Sequence, residues 1–222
     1  MKSTFKNMFL SLTLISLFAA AALAAVYNVT KEPIEQSKTA KKQSAIKEVL
    51  PEFARLDEPE RVKTDVLPDS LSVYRAYDSA NRFVGAAVES SANGFGGEIK
   101  IMVGFDVEGK IVNYSVLEQK ETPGLGTQII DWFKPQTNQD KSLAEKLLRF
   151  EVKSEARNSS VIGKNPAKDK LTVSKDKGDI DAITAATISS RAFLEAVRNA
   201  YAAYAGNTDY KPDAESGASM RN

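Results

Sequence analysis

The chain has 222 residues with 30 basic and 29 acidic side chains, a formal charge of +1, so no net field draws it to nucleic acid or to a strongly anionic surface. It contains no Cys and no His, which excludes thiol chemistry, disulfides, Cys or His metal sites, haem ligation by His and every triad built on an imidazole. The length suits one domain of ordinary size plus a tether, and redox work by such a chain requires a bound organic cofactor.

Lys2 and Lys6 precede an uncharged, mostly apolar segment, Met8 to Tyr27, about as long as a bilayer is thick. Its length favours a retained anchor over a cleaved signal, although Ala22 and Ala24 also suit a cleavage site. The two lysines keep the amino end in the cytoplasm and send the rest outward, a bias that Lys31 weakens without reversing. The span has no acidic residue to serve as an ion site, and its Ala-rich end offers small side chains for helix packing.

From Pro33 to Phe53 the apolar positions Ile34, Ala45, Ile46, Val49, Leu50 and Phe53 predict an amphipathic helix that stops or kinks near Pro51. The charged stretch Asp57 to Lys63 reads as a solvated connection. Four β-rich runs follow, at Ser72 to Tyr77, Arg82 to Glu89, Glu98 to Asp106 and Lys110 to Leu117. The last two are joined by the turn-forming Asp106-Val107-Glu108-Gly109, so an antiparallel sheet is expected. Between the second and third runs lies Asn93 to Gly97, a glycine-rich loop carrying Phe95, which serves either as a plain turn or as backbone that approaches a ligand.

After the hairpin comes Glu121-Thr122-Pro123-Gly124-Leu125-Gly126, where a fixed φ beside two permissive glycines makes a tight backbone shape. Ile129, Ile130, Trp132 and Phe133 then predict a short apolar helix, with Trp132 read as core. Pro135 to Lys141 is polar and turn-like, Leu143 to Phe150 is helical in pattern, and Arg157 to Lys170 is a loop. Leu171 to Ser174 reads as a short strand.

Asp181 to Ser190, DAITAATISS, stands ahead of Phe193, Leu194, Val197, Ala200, Tyr201 and Tyr204, whose spacing predicts a helix of three to four turns. The hydroxyls of Thr184, Thr187 and Ser189 thus fall at a helix N-terminus. Unpaired N–H groups and the positive dipole end favour a phosphate there, and Ser and Thr are also the ordinary helix caps. Beyond Gly206 too few apolar residues remain to pack. The expected organisation is a cytoplasmic end at 1–7, a transmembrane anchor at 8–27, a juxtamembrane helix and linker at 28–60, an extracytoplasmic domain at 61–206 and a disordered tail at 207–222. The fold class is α+β, an antiparallel sheet with packed helices on a single N-terminal transmembrane helix.

The amino-terminal span, the ETPGLG loop at Glu121 to Gly126 and DAITAAT at Asp181 to Thr187, in that order, resemble the FMN-binding G subunit of Rnf-type ion-translocating electron-transport complexes. The C subunit of the sodium-pumping NADH:quinone reductase is a more distant likeness. In that family a flavin transferase joins FMN through its phosphate to the last Thr of a motif that reads Asp, two residues, Ser or Thr, Gly, Ala, Thr. The resemblance matches Asp181, Thr184 and Ala186 to that motif and implies a covalent phosphoester at Thr187. Ala185 stands where the family has Gly. Gly adopts positive φ readily and Ala does not, whereas a helical backbone prefers Ala, so the exchange turns on the local conformation. Many relatives also carry a His just ahead of ETPGLG, where this chain has Gln119 and Lys120.

For the flavin ring the expected pocket is the backbone of Glu121 to Gly126 with Thr122 and Leu125, and Phe95 is read either as an aromatic neighbour of the ring or as simple packing. Its partners would be the other subunits of a membrane electron-transport complex, in the inner membrane, with the domain on the periplasmic side. No GxGxxG fingerprint follows a strand, so nicotinamide oxidation falls to a partner. The competing readings are the quinone-reductase subunit and a membrane-tethered assembly module without flavin.

Overall fold

A computed structural model describes residues 5–63, 70–135 and 157–206. The chain divides into two compact units, Met1–Gln43 and Ser44–Asn222. The described residues of the first unit all belong to helix α1, Phe5–Val49. Large apolar side chains, among them Phe9, Leu12, Ile15, Phe18 and Leu23, are exposed along it. It is long and apolar enough to cross a membrane. Several of its hydroxyls are satisfied within the helix, as an apolar solvent favours: Ser11 donates to the Asn7 carbonyl at 2.7 Å, Thr13 to Phe9 at 2.9 Å and Thr30 to Val26 at 2.9 Å. The predicted juxtamembrane helix is not a separate element. The same helix runs through Pro33 and ends where the sequence placed the stop, just before Pro51.

The second unit is a six-stranded, wholly antiparallel sheet: β1 (Arg55–Leu56), β2 (Glu60–Val62), β3 (Leu71–Tyr77), β4 (Phe83–Asn93), β5 (Glu98–Asp106) and β6 (Ile111–Glu118). The order is β1-β3-β4-β5-β6, with β2 also pairing β3. The alternation of apolar residues explains why both faces are covered. Val73, Ala86, Val88, Ile99, Ile101, Val103 and Phe105 turn to the face packed by helix α2, Thr187–Gly206. Tyr74, Ala76, Ala87, Met102 and Leu117 turn to the other, where they meet Ala45, Ile46, Val49 and Leu50 of the end of α1 and the residue after it. That contact is close: a Cβ on Gly104 would run into the Val49 carbonyl.

The four long strands lie within a few residues of the predicted runs, and the fold is α+β as expected. Three shorter predictions are corrected. Within Asp57 to Lys63, Glu60–Val62 pairs with β3, Glu60 opposite Val73 and Val62 opposite Leu71. Leu171 to Ser174 is no strand: Val173 makes one isolated bridge to Ile180, and a 3-10 turn, Ser174–Asp176, follows. Ile129 to Phe133 takes a 3-10 turn, Gly126–Ile130, and further turns rather than a helix. Phe133 is fully buried, stacked on Phe193 at 4.4 Å. Trp132 packs on the core edge with its indole N–H bonded outward. The predicted helix Leu143 to Phe150 and the tail 207–222 lie outside the described residues.

Candidate functional site

Three loops that are distant in sequence converge on one carboxylate. Glu121 is 5% exposed. Its Oε1 accepts the Gly96 N–H at 3.0 Å and its Oε2 accepts the Ser189 hydroxyl at 2.5 Å. The glycine-rich loop, the ETPGLG loop and the first turn of α2 are thereby tied together. No side chain could be added around this knot. A Cβ on Gly94 would meet Glu121 Oε1, one on Gly96 would meet the Lys120 carbonyl, and one on Gly126 would lie 2.6 Å from Glu121 Oε2 and 2.7 Å from Ser189 Oγ. These glycines are small so that the protein can close on its own carboxylate, a different reason from ligand approach. The Glu121 side chain faces inward, leaving the loop backbone and its neighbours to face out.

The ETPGLG loop has the tight shape that its composition demands. Gly124 sits at φ +75°, the left-handed region that favours glycine. The Thr122 carbonyl accepts the N–H of Leu125 at 3.2 Å and of Thr127 at 3.3 Å, while Thr127 Oγ1 accepts from the Gly124 N–H at 3.0 Å. Outside the membrane helix, the exposed large hydrophobics among the described residues are Phe95, Val107, Leu125, Ile130 and Ile188. Three of the five, Phe95, Leu125 and Ile188, are chain neighbours of Gly96, Gly126 and Ser189, the residues packed about Glu121.

The DAITAAT segment is held at both ends. Asp181 Oδ2 accepts the Asn158 N–H at 2.8 Å, the Asp181 N–H donates to the Asn158 carbonyl at 2.9 Å, and the Trp132 indole N–H donates to the Asp181 carbonyl at 2.9 Å. At the other end Ser190 closes the turn. Its Oγ accepts the Ile183 N–H at 3.0 Å and donates to the Ala186 carbonyl at 3.0 Å. Between these anchors Ala185 takes φ +62°. This is the conformation that Gly adopts without a steric cost and Ala adopts at roughly 1–2 kcal/mol. The surrounding bonds hold the glycine-like backbone with Ala in place.

Helix α2 starts at Thr187. No turn of helix precedes it, so the N–H groups of Thr187, Ile188 and Ser189 lack intrahelical acceptors; the Ser190 N–H reaches the Ala186 carbonyl at 3.0 Å. The first turn carries no acidic residue, so no carboxylate offsets the positive end of its dipole. The three candidate hydroxyls part company here. Ser189 is buried and bonded to Glu121, which removes it as a ligand contact. Thr184 is exposed and Thr187 is partly exposed, while Ala186 is buried. Lys175, which no sequence pattern singled out, brings its Nζ to 3.2 Å from Thr187 Oγ1. The hydroxyl therefore accepts from a cation and keeps its own proton free.

Residues 94–202 match the FMN-binding domain family, an interval that includes all three loops and Thr187. The G subunit of the ion-translocating oxidoreductase complex of Shewanella baltica is 33% identical over 202 residues, covering 88% of this chain and 86% of that protein. The chain belongs to this G-subunit family. The corresponding proteins of Yersinia pestis, 31% identical over 84% of this chain, and of Methanosarcina acetivorans, 29% identical over 86%, extend the likeness from bacteria to an archaeon. A member of this family is expected to hold FMN, and the donor set at Thr187 fits a phosphate: an available hydroxyl, free first-turn N–H groups and an ammonium.

Proposed function

We propose that this chain is the membrane-anchored flavoprotein subunit of an Rnf-type ion-translocating oxidoreductase complex, carrying FMN joined through its phosphate to Thr187 Oγ1. One observation carries the attachment point: among the hydroxyls at the start of α2, Thr187 is the one that is partly exposed, spared internal bonding duty and paired with a cation. The glycine-like φ of Ala185 supports the same reading, since the motif keeps its backbone shape despite the exchange. The flavin ring supplies the electron chemistry when bound. The protein's part is to hold the phosphate at the helix N-terminus, to offer the exposed apolar side chains of Leu125, Ile188 and Phe95 to the ring, and to fix their loops through Glu121.

Lys2 and Lys6 ahead of the span favour a cytoplasmic amino end, which supports a sheet domain outside the cytoplasm. There a covalent bond prevents loss of a cofactor that is not readily replaced. Electrons pass between the flavin and neighbouring subunits, and ion movement belongs to the assembly. Attachment is tested by producing the full chain with a matching flavin transferase, denaturing it and following flavin fluorescence with the polypeptide. Wild type should carry flavin and Thr187→Ala none; retention in Thr187→Ala would refute the assignment. A reporter fused after Gly206 should be active outside the cytoplasm.

A further inference from the structure

We propose that Lys175 is a positioning residue for the attachment reaction: its ammonium meets the phosphoryl group as that group joins Thr187 and stays paired with the resulting phosphodiester. The inference rests on the reading of Thr187 as the attachment point and adds a second residue of this chain to it.

The turn that bears Lys175 is built to hold it in place. Asp176, the next residue, forms a two-pronged ion pair with Arg191 of α2, Nε to Oδ2 at 2.7 Å and Nη2 to Oδ1 at 2.7 Å. The turn is thus pinned to the helix whose N-terminus Lys175 faces. Behind it, the Ser174 N–H bonds the Ile180 carbonyl at 2.8 Å and the Gly178 N–H bonds the Val173 carbonyl at 3.1 Å, closing a tight loop. A Cβ on Gly178 would run into the Thr172 carbonyl, so the loop cannot easily widen.

The charges leave Lys175 uncommitted. The neighbouring carboxylate of Asp176 is occupied by Arg191, whose hydrogen bonds hold its carboxyl below the ordinary value. Among the described residues the partner of the Lys175 ammonium is the neutral Thr187 oxygen. An exposed lysine loses side-chain freedom by resting on a hydroxyl and gains only a modest bond. An anionic phosphate on that same oxygen would be a stronger partner, and its remaining oxygens would face the free N–H groups of the first turn.

In the attachment step Thr187 Oγ1 forms a bond to phosphorus and gives up its proton to the transferase or to solvent. The donor is a flavin dinucleotide, whose phosphoric anhydride bond breaks as a nucleoside monophosphate leaves with the electron pair. Nothing is oxidised or reduced. The product phosphodiester carries one negative charge beside the ammonium, and negative charge also builds on the phosphoryl oxygens during transfer.

The test uses the full chain in detergent, a matching transferase and the flavin dinucleotide, with covalent loading followed by intact mass. Lys175→Met should lower the maximal loading rate at saturating chain by about tenfold, and Lys175→Arg should restore most of it. The melting midpoint of the unloaded chain should be the same in all three, since Lys175 is exposed. Loading of Lys175→Met at the wild-type rate, or Lys175→Arg as slow as Lys175→Met, would overturn the inference. Thr187→Ala serves as the separate control. If it gains the flavin mass, the attachment reading itself fails; if it stays unloaded while Lys175→Met loads normally, only the role of Lys175 is lost.

Discussion

Thr187 and Ser189 are two hydroxyls two residues apart in one turn of α2, and the fold gives them opposite work. Residues spaced by two stand about 200° apart around a helix and do not share a face. Ser189 consequently enters the protein and bonds the buried Glu121, while Thr187 looks outward beneath Lys175. Around Ser189 both carboxylate oxygens of Glu121 are matched, and a Cβ on Gly94, Gly96 or Gly126 would collide. Around Thr187 the groups are left open: a free hydroxyl proton, N–H groups without helical acceptors and a cation. The attachment proposed at Thr187 would use both conditions side by side, the open end being held in place by the closed one.

The sharpest way to break the comparison is to remove the outward hydroxyl. Thr187→Ala should abolish covalent flavin although Ser189 remains, and intact mass of the chain matured with its transferase would reveal any transfer to the buried position. Next in size is the closed end itself. Glu121→Ala leaves the Gly96 N–H and the Ser189 hydroxyl without partners and should cost about 3 kcal/mol, read by denaturant unfolding. Glu121→Gln keeps the shape and an acceptor and should cost less than half of that. Ser189→Ala removes one partner of the buried carboxylate and should cost about 1–2 kcal/mol while leaving the flavin on Thr187.

Smaller effects sharpen the picture between the two ends. Ala185→Gly relieves a left-handed alanine but adds freedom to the unfolded chain, so the net gain should be about 0.5–1 kcal/mol, measurable as a higher denaturant midpoint. The Asp176–Arg191 pair should respond to acid. The Asp176 pKa is lowered in the fold, so its contribution is complete above the ordinary value of 3.8 and is lost as pH falls through the lower folded value. The difference in melting midpoint between wild type and Asp176→Asn should therefore persist at neutral pH and shrink below about pH 4.

How legible this was depended on whether a feature repeats along the chain. The run Glu98 to Asp106 is recovered with its ends unchanged as β5, because nine residues rich in Ile, Met, Val and Phe carry their own signal. The pairing of Glu60–Val62 has none: three residues, two of them exposed, join the sheet because β3 offers an edge. Leu171 and Val173 are buried like strand residues but serve as plugs in an irregular loop. At the site, ETPGLG and Thr187 stood out through a family motif and a helix start. The bond between Ser189 and Glu121 joins positions 68 apart, and that between Lys175 and Thr187 joins positions 12 apart. Such side-chain meetings leave no periodic trace. The backbone conformation of Ala185, which the sequence left open between helical and left-handed, was decided by the bonds of Ser190 and Asp181 on either side.

The end of α1 has a practical meaning for handling the domain apart from its span. Ala45, Ile46, Val49 and Leu50 cover Tyr74, Ala76, Ala87, Met102 and Leu117, so the last turn of the anchoring helix is also the roof of one side of the sheet. A shortened protein that begins at Ser44 keeps that roof. One that begins at Pro51 loses it and turns an apolar sheet face to water, inviting self-association of a piece whose α2 side is intact.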